Sequence, residues 1–514
     1  MNKVVKYAAA AIAALPALAD TIEKPNIVYV LTDDLGFGDV KCNNPQGKIN
    51  TPYIDKLASQ GMRFTDAHTT SAVCTPTRYS IMTGRYCWRT RLKKAVLFGY
   101  SKHLIEDGRT TVGSYLQKEG YDTALIGKWH LGWDWATKGS GNNGEKSAKK
   151  SKKKKSKKSK GDSPNRMDVS AGSVDFTKKI SHGPGTNGGF DYYFSACGSL
   201  DMAPYVYVEN GMPTAVPTKT TSRGGYGFWR KGVTAPDFDH EDSTPNYMRR
   251  SIAYIKEKAK TPKPFFLYIP LPSPHTPILP TKEWQGKSGI NPYADFVMQV
   301  DWTLGQIVKA VDEAGIAENT MIVFTSDNGC SPKANIPVLN KKGHDPHPGM
   351  RGTKSDVWEG GHRVPFIVRW PKVVKPGQVT DKMTSVVDLL GTVADICGTP
   401  LKPGEGEDTE SMLPILLGKK EAGRNDLIVH SVDGEFGIRQ GDWVYIDCPG
   451  SGGWTTKKNV IPLPKNAPPV QLFNLKNDLG QDNNLQGSNP EKAKAMKALL
   501  EKHKAQGYTR IPTK

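Results

Sequence analysis

The sequence predicts an α/β fold, on three observations. Short apolar runs of strand length alternate with segments of helical character, the runs end in polar clusters, and four of those clusters carry charged or imidazole groups. In an open parallel sheet, ligands gather just beyond the carboxyl ends of the strands, so those four clusters are expected to share one edge. At 514 residues the chain exceeds an average domain, and one large domain plus a smaller one is expected.

Taken in order, MNKVVKYAAAAIAALPALAD places Lys3 and Lys6 before an apolar stretch, then Ala17-Leu18-Ala19 in a small-x-small cleavage pattern. Residues 1–19 therefore read as an export signal, and a periplasmic or secreted protein is expected. No later stretch offers the eighteen or more uninterrupted apolar residues that spanning requires, so no stable membrane insertion is expected. Asn26 to Leu31 (NIVYVL) reads as a buried strand that ends in Thr32-Asp33-Asp34. Helices are predicted at Tyr53 to Gln60 and Thr111 to Glu119. Thr123 to Gly127 (TALIG) is a strand followed by Lys128 and His130, and Phe265 to Leu271 (FFLYIPL) one followed by His275. A helix from Ala294 to Ala314 precedes the strand Met321 to Thr325 (MIVFT), which ends in Ser326-Asp327-Asn328. Seven cysteines in an exported chain invite pairing, but the odd count leaves a thiol over, and Cys74 is the candidate.

The net charge of +19 does not indicate nucleic acid. Ten lysines fall in KSAKKSKKKKSKKSK, from Lys146 to Lys160, and removing them leaves +9. With only serine and alanine between them these lysines have no apolar face to bury, and no aromatic residue is present to stack on bases. A disordered insertion over residues 138–165 is expected.

Each charged cluster has a structural explanation when taken singly. Asp33-Asp34 could begin a turn toward Gly36, Asp327-Asn328-Gly329 is good turn chemistry, and His275 between prolines could cap a bend. Their conjunction points to chemistry. Three carboxylates and an amide make an all-oxygen cage suited to a hard divalent cation, calcium in an exported protein, rather than zinc. Arg78, Lys128 and a second lysine would surround the metal with positive charge, as a tetrahedral oxyanion requires, so the substrate is expected to be a sulfate or phosphate ester. The histidines would move protons at the leaving oxygen or the nucleophile.

The nucleophile follows from a resemblance. C-T-P-T-R at Cys74 to Arg78, continuing Y-S-I-M-T-G, resembles the C-x-P-x-R signature of the type I sulfatases, whose cysteine is oxidised after translation to Cα-formylglycine. GYDTALIGKWH (Gly120 to His130) resembles the family's second signature. PNIVYVLTDDLGFGD, TPYIDKLASQGMRFTDAH, SPHTP, TSDNG and RGTKSDVWEGGHRVP match in the family's order, and IRQGDWVYI and LFNLKNDLGQDNNL resemble its closing segments. The pattern is most similar to the arylsulfatase A and N-acetylgalactosamine-sulfatase branch of the alkaline phosphatase superfamily.

The resemblance implies a large central mixed, mostly parallel sheet flanked by helices over residues 20–400. A smaller C-terminal α+β subdomain over 401–514 would carry a short antiparallel sheet. It implies that Asp33, Asp34, Asp327 and Asn328 hold one calcium together with the modified Cys74. Arg78 and Lys128 would stabilise the formylglycine and sulfate charge, His130 would contact the aldehyde hydrate, and His275 and Lys354 would bind the sulfate and its bridging oxygen. It also implies a partner, a formylglycine-generating or anaerobic sulfatase-maturating enzyme that reads the proline and arginine.

The leaving alcohol is chosen by variable loops. Ser181 to Asn210, including Gly189 to Tyr193, then Arg223 to Arg230, Phe238 to Glu241 and Trp284 to Ser288 are the expected pocket walls. Asp201, Arg223, His240 and Trp284 are the candidate contacts to a sulfated saccharide, galactose or N-acetylgalactosamine sulfate. The alternatives are a phosphonate or phosphate diester hydrolase of the same superfamily and an inactive binder of sulfated glycans.

Overall fold

The computed structural model describes residues 23–139, 168–419 and 422–510. The predicted export signal and lysine run lie outside the described residues. The central sheet has ten strands, numbered here with the other labelled elements in chain order. They are β1 (Asn26–Asp33), β2 (Met62–Phe64), β3 (Asp122–Lys128), β4 (Tyr192–Ala196), β5 (Tyr207–Glu209), β6 (Met212–Pro213), β7 (Phe265–Pro274), β8 (Thr320–Ser326), β9 (Phe366–Arg369) and β10 (Gln378–Thr380). Their order across the sheet is β10-β2-β9-β8-β1-β7-β3-β4-β5-β6. The five central strands, β8 to β4 in that order, run parallel, while β9 and β5 pair antiparallel at the flanks.

The four strands expected from the sequence are four neighbours in this parallel centre. Their apolar runs are continuous because both faces are covered. Alternation along β1 sends Ile27, Tyr29 and Leu31 into one core and Val28 and Val30 into the other. Phe266 and Tyr268 of β7 face the first core, whereas Phe265, Leu267 and Ile269 face the second.

The three predicted helices are present as α1 (Pro52–Ser59), α3 (Val112–Lys118) and α5 (Pro292–Glu313), with α2 (Cys74–Thr83) and α4 (Ser243–Lys258) between them. The Asn291 side chain accepts a hydrogen bond from the Ala294 amide, and Pro292 begins α5, a strong start signal. The α1 N-terminus has no side-chain cap of its own. Asp301 of α5 supplies one, accepting from the amides of Ile54 at 2.7 Å and Tyr53 at 3.3 Å, and burial pushes its carboxyl up to about 7.

A four-stranded antiparallel sheet follows: β11 (Asp426–His430), β12 (Phe436–Gln440), β13 (Trp443–Ile446) and β14 (Gln471–Asn474), covered by α7 (Pro490–Gln506) once α6 (Leu389–Cys397) is counted. It builds a third core, into which Tyr86, Trp88, Val357 and Trp358 of the main domain pack. Met412, Leu413, Ile415 and Leu416, just beyond the expected 400/401 boundary, pack in the first core. All seven cysteines are free, so the expected pairing is absent: each thiol is separately buried or half-buried. No helix among the described residues is long and apolar enough to cross a membrane.

Burial holds His240, His362 and His430 down at about 4. A histidine whose folded pKa lies below its unfolded value near 6.5 contributes stability fully above that value, lost as pH falls toward 4. Each contributes about 3 kcal/mol at neutral pH by this linkage. The melting temperature is therefore expected to drop by roughly 5 °C or more between pH 7 and pH 4.5. A thermal series checks this, and a flat profile contradicts the buried neutral state.

Candidate active site

The acidic and basic ends of the four central strands converge at one sheet edge. β1 delivers Asp33 and Asp34, β8 delivers Asp327 and Asn328, β3 delivers Lys128 and then His130, and β7 leads through Pro274 to His275. Cys74 is the first residue of α2, and Lys354 lies on a loop before β9. Cys74, Arg78, Lys128, His130, Asp33, Asp34, Asp327, Asn328 and Lys354 are all buried, and His275 is the most exposed of the set at 9%.

The Arg78 guanidinium is the central tie. Its Nε donates to Asp327 Oδ2 at 2.9 Å, its Nη2 lies 2.8 Å from the same oxygen and 3.5 Å from Asp33 Oδ2, and its Nη1 donates to the Lys128 carbonyl at 3.0 Å. The Lys128 ammonium pairs with Asp33, and the Lys354 ammonium sits 2.6 Å from Asp34 Oδ1. Asn328 Nδ2 donates to Asp34 Oδ1 at 2.8 Å, and His275 Nε2 lies 3.6 Å from Asp34 Oδ2. The ligand atoms of Asp33, Cys74 and Asp327 lie within 4.8 Å of one another.

Burial pushes the Asp33 carboxyl up, but Lys128, His275, Arg78 and Lys354 outweigh it and hold the group well below the usual carboxylate range. Burial and the neighbouring Asp33 push Asp327 up. Burial would also lower Lys354, yet Asp34 and Cys74 raise it, so it stays charged. The Cys74 thiol is raised to about 11 by burial. It is therefore neutral at physiological pH and is not itself a poised nucleophile.

The residues fit a divalent cation. Asp33 Oδ1 and Asn328 Oδ1 are buried oxygens with no hydrogen-bond partner among the described residues, and three carboxylates crowd together. The donors are oxygens, as calcium prefers. Three carboxylates balance Arg78, Lys128 and Lys354, so a bound dication leaves the pocket with two net positive charges to receive an anionic ester.

Both histidines have one ring nitrogen beside a backbone carbonyl. His130 Nε2 faces the Leu97 carbonyl at 2.9 Å and must donate to it, which leaves its buried Nδ1 as the unpartnered acceptor. Burial, then Lys128 and Arg78, push His130 well below its ordinary value, so the imidazole is neutral. His275 Nδ1 faces the Thr276 carbonyl, which leaves Nε2 as the nitrogen that can gain or lose a proton.

Backbone strain concentrates here. Asp34, His130 and Ser355 have φ of 67°, 58° and 89°, a left-handed region that non-glycine residues avoid. The Ser355 conformation is held from every side. Its amide donates to the Ala72 carbonyl at 2.7 Å, its carbonyl accepts from the Val432 amide at 3.0 Å, and its Oγ accepts from the Trp454 amide at 2.8 Å. Asp356 beside it accepts from the Thr353 amide at 2.9 Å, the Thr455 amide at 3.2 Å and the Thr455 hydroxyl. The C-terminal subdomain thus clamps the loop that carries Lys354. Thr455→Val keeps the shape but removes the hydroxyl donor, and is expected to lower kcat roughly tenfold with little change in melting temperature. Steady-state kinetics beside a melting curve check this: lost stability with full turnover would make the clamp purely structural.

Sequence reasoning missed Ser355, Asp356 and Thr455, and also Asp39, whose carboxylate takes the Tyr293 hydroxyl at 2.5 Å and His344 Nε2 at 2.9 Å beneath the Asp34 turn. Asp39 and Asp356 stand inside the quoted motifs TDDLGFGD and RGTKSDVWEGG, a signal that was available.

A cleft of about 540 Å³ is lined by Arg223, Tyr226, Glu241, Ile278, Gln285 and neighbouring residues. The Ile278 amide donates to the Tyr226 carbonyl at 2.9 Å, which ties the loop carrying His275 to this wall. Of the four candidate sugar contacts, Arg223 lies on the cleft. The other three are not among its lining residues: Asp201 pairs with Arg230, the His240 ring stacks 4.0 Å from Trp229, and Trp284 leans on Trp302 at 6.1 Å. The stretch Gly189 to Tyr193, expected as a pocket wall, stands elsewhere. Phe190 stacks on Phe266 in the core, and Asp191 accepts from the Thr123 amide at 3.0 Å at the start of β3, the edge opposite the site.

A family model described as sulfatase matches residues 25–399. The chain is 31% identical over 525 residues to the N-acetylgalactosamine-6-O-sulfatase of Bacteroides thetaiotaomicron, covering 93% of each chain. It is 28% identical to human arylsulfatase A, covering 95% of this chain and 89% of that one. A solved Bacteroides thetaiotaomicron structure, described under the metabolism of multiple glycosaminoglycans, superimposes with a TM-score of 0.77 at 28% identity. It covers 94% of this chain and 99% of that one.

Proposed function

The chain belongs to the sulfatase family and is a sulfuric ester hydrolase, and from that premise we propose that it removes the 6-O-sulfate of galactose or N-acetylgalactosamine in a sulfated glycan. The observation that carries the substrate reading is end-to-end similarity to a protein named for N-acetylgalactosamine 6-sulfate, together with a cleft whose wall includes Ile278, on the loop that follows His275.

Calcium, when bound by Asp33, Asp34, Asp327, Asn328 and the modified Cys74, supplies charge neutralisation for the sulfate and its nucleophile. Oxidised to formylglycine, residue 74 would be an aldehyde whose hydrate would supply two hydroxyls, a nucleophile for sulfur and a group to release the sulfate. Arg78 and Lys128 hold the modified residue and the developing negative charge, and Lys354 holds a sulfate oxygen. His275 delivers a proton from Nε2 to the bridging oxygen as the alcohol leaves, its Nδ1 anchored on the Thr276 carbonyl. His130 Nδ1 takes the proton of the second hydroxyl, and its Nε2 bond to the Leu97 carbonyl fixes that tautomer.

Export by residues 1–19, maturation by a formylglycine-forming enzyme and a catalytic domain over 20–400 belong to the same reading. The chemistry rests on Asp33, Asp34, Cys74, Arg78, Lys128, His130, His275, Asp327, Asn328 and Lys354. In the cleft, Arg223 and Glu241 suit the hydroxyls of a sugar ring.

A panel of defined monosaccharide sulfates tests the substrate. N-acetylgalactosamine 6-sulfate is expected to exceed its 4-sulfate isomer and an aryl sulfate by roughly 100-fold or more in kcat/KM, because misplaced hydroxyls leave buried polar groups unpaired. Equal rates on all three contradict it.

A further inference from the structure

A second cluster of metal-ligating side chains lies outside the active site. His103 and Asp107 come from the loop after Cys87–Arg89, Asp134 from the segment that continues His130, and His182 from the loop leading toward β4. Backbone bonds fix these segments together: the Asp134 amide donates to the His182 carbonyl at 3.1 Å and the Ser181 amide to the Asp134 carbonyl at 3.1 Å. The Leu104 amide donates to the Leu131 carbonyl at 2.8 Å, and the His103 amide to Asp134 Oδ1 at 3.1 Å.

The two imidazoles stack with centroids 4.4 Å apart and planes 19° from parallel. Their Nδ1 atoms lie 3.0 and 3.2 Å from the same oxygen, Asp134 Oδ2. The His103 Nδ1 contact is not aligned for a hydrogen bond and His182 Nδ1 also lies 3.1 Å from Ser181 Oγ, but both Nδ1 atoms sit beside the carboxylate and both Nε2 atoms lie on the other side. There they face Asp107 Oδ1 at 3.9 and 3.8 Å, too far for hydrogen bonds. Asn187 Nδ2 donates to that oxygen at 2.9 Å and orients it.

We propose that His103 Nε2, His182 Nε2 and Asp107 Oδ1 form a binding site for one borderline transition-metal ion, zinc by donor chemistry, with Asp134 as the carboxylate that orients both rings. Asp107 Oδ1 lies 3.9 and 3.8 Å from the two Nε2 atoms and all three lie within 4.8 Å of one another, so a point equidistant from them is at most about 2.5 Å from each, and the stacked rings need to tilt as well as close to reach zinc–nitrogen bonds. A carboxylate behind a ligating histidine fixes its tautomer and raises its basicity. Asp107 is 75% exposed at its side chain, so the contraction is easily made and solvent can supply a fourth ligand. Two nitrogens and one oxygen favour zinc, whereas the all-oxygen active site favours calcium, so the two ions separate by site. The ion would staple two surface loops to the segment leading away from His130. The other histidine pair, His68 and His362, does not qualify, because the Arg439 guanidinium stands 2.9 Å from His68 Nε2 and repels a cation.

The test uses the full, matured chain with saturating calcium, titrated with zinc chloride at pH 7.5 and read by calorimetry, elemental analysis and melting temperature. The expected result is one zinc per chain with a raised melting temperature, weakened at least tenfold in Asp107→Asn and abolished in His182→Gln. Hydrolysis by both zinc-free variants should be unchanged. Absence of bound zinc in the unsubstituted protein overturns the proposal, as does zinc that both variants retain equally. Asp107→Asn is exposed and decides the question even if His182→Gln fails to fold.

Discussion

Cys74→Ala is expected to abolish turnover, lowering kcat by at least about 10⁴-fold, while substrate still binds. The side chain is almost fully buried at the start of α2, so alanine removes little packing and the fold should persist. The thiol itself cannot supply the nucleophile. Burial raises it to about 11, which leaves almost no thiolate at pH 7, and a neutral thiol has no role in the proposed chemistry except as the precursor of an aldehyde. Cys74→Ser should be equally inactive in a host that converts only cysteine. Turnover by either variant at more than a few per cent of the parent rate would remove residue 74 from the mechanism.

Asp327→Asn is expected to lower bound calcium from one ion per chain to none at micromolar free calcium, and to cut the rate by roughly 10³-fold or more. Asp327 Oδ2 accepts from Arg78 Nε and lies 2.8 Å from Nη2, and its Oδ1 takes the Asp34 amide at 3.3 Å, so this carboxylate holds the other groups of the site in register. Asparagine preserves the shape and some of those bonds but removes a charge. Elemental analysis and circular dichroism separate metal loss from unfolding. A folded variant that keeps one calcium and full activity contradicts the assignment, as does a parent protein holding two adjacent metals.

The parallel centre of the sheet was legible because strands buried on both faces read as continuous apolar runs, and because their C-terminal ends carry the polar groups that a sheet-edge site uses. The convergence of these acidic groups was legible for the same reason: Asp33 ends β1 with Asp34 after it, and Asp327-Asn328 follow β8 directly. Helix α2 was not. All ten residues of CTPTRYSIMT are buried, so no amphipathic period marks it. Its polar groups are satisfied by local bonds such as Ser80 Oγ to the Pro76 carbonyl at 3.1 Å and Thr83 Oγ1 to the Tyr79 carbonyl at 2.8 Å. The Ser355 clamp was hidden because its partners Val432 and Trp454 are remote in sequence. The surroundings of Asp201, His240 and Trp284 were not legible, because polar and aromatic composition does not reveal which side chains a local fold engages. His240 against Trp229 is the plainest case.

The measurement closest to the central claim is the mass of the peptide that carries residue 74, taken from preparations of graded specific activity. Conversion of the thiol to an aldehyde exchanges sulfur for oxygen and removes two hydrogens, so the peptide should be about 18 Da lighter than the cysteine form. Its fraction should rise in proportion to kcat, and an aldehyde-reactive hydrazide should label and inactivate that same fraction. A fully active preparation whose peptide retains the intact thiol would contradict the account.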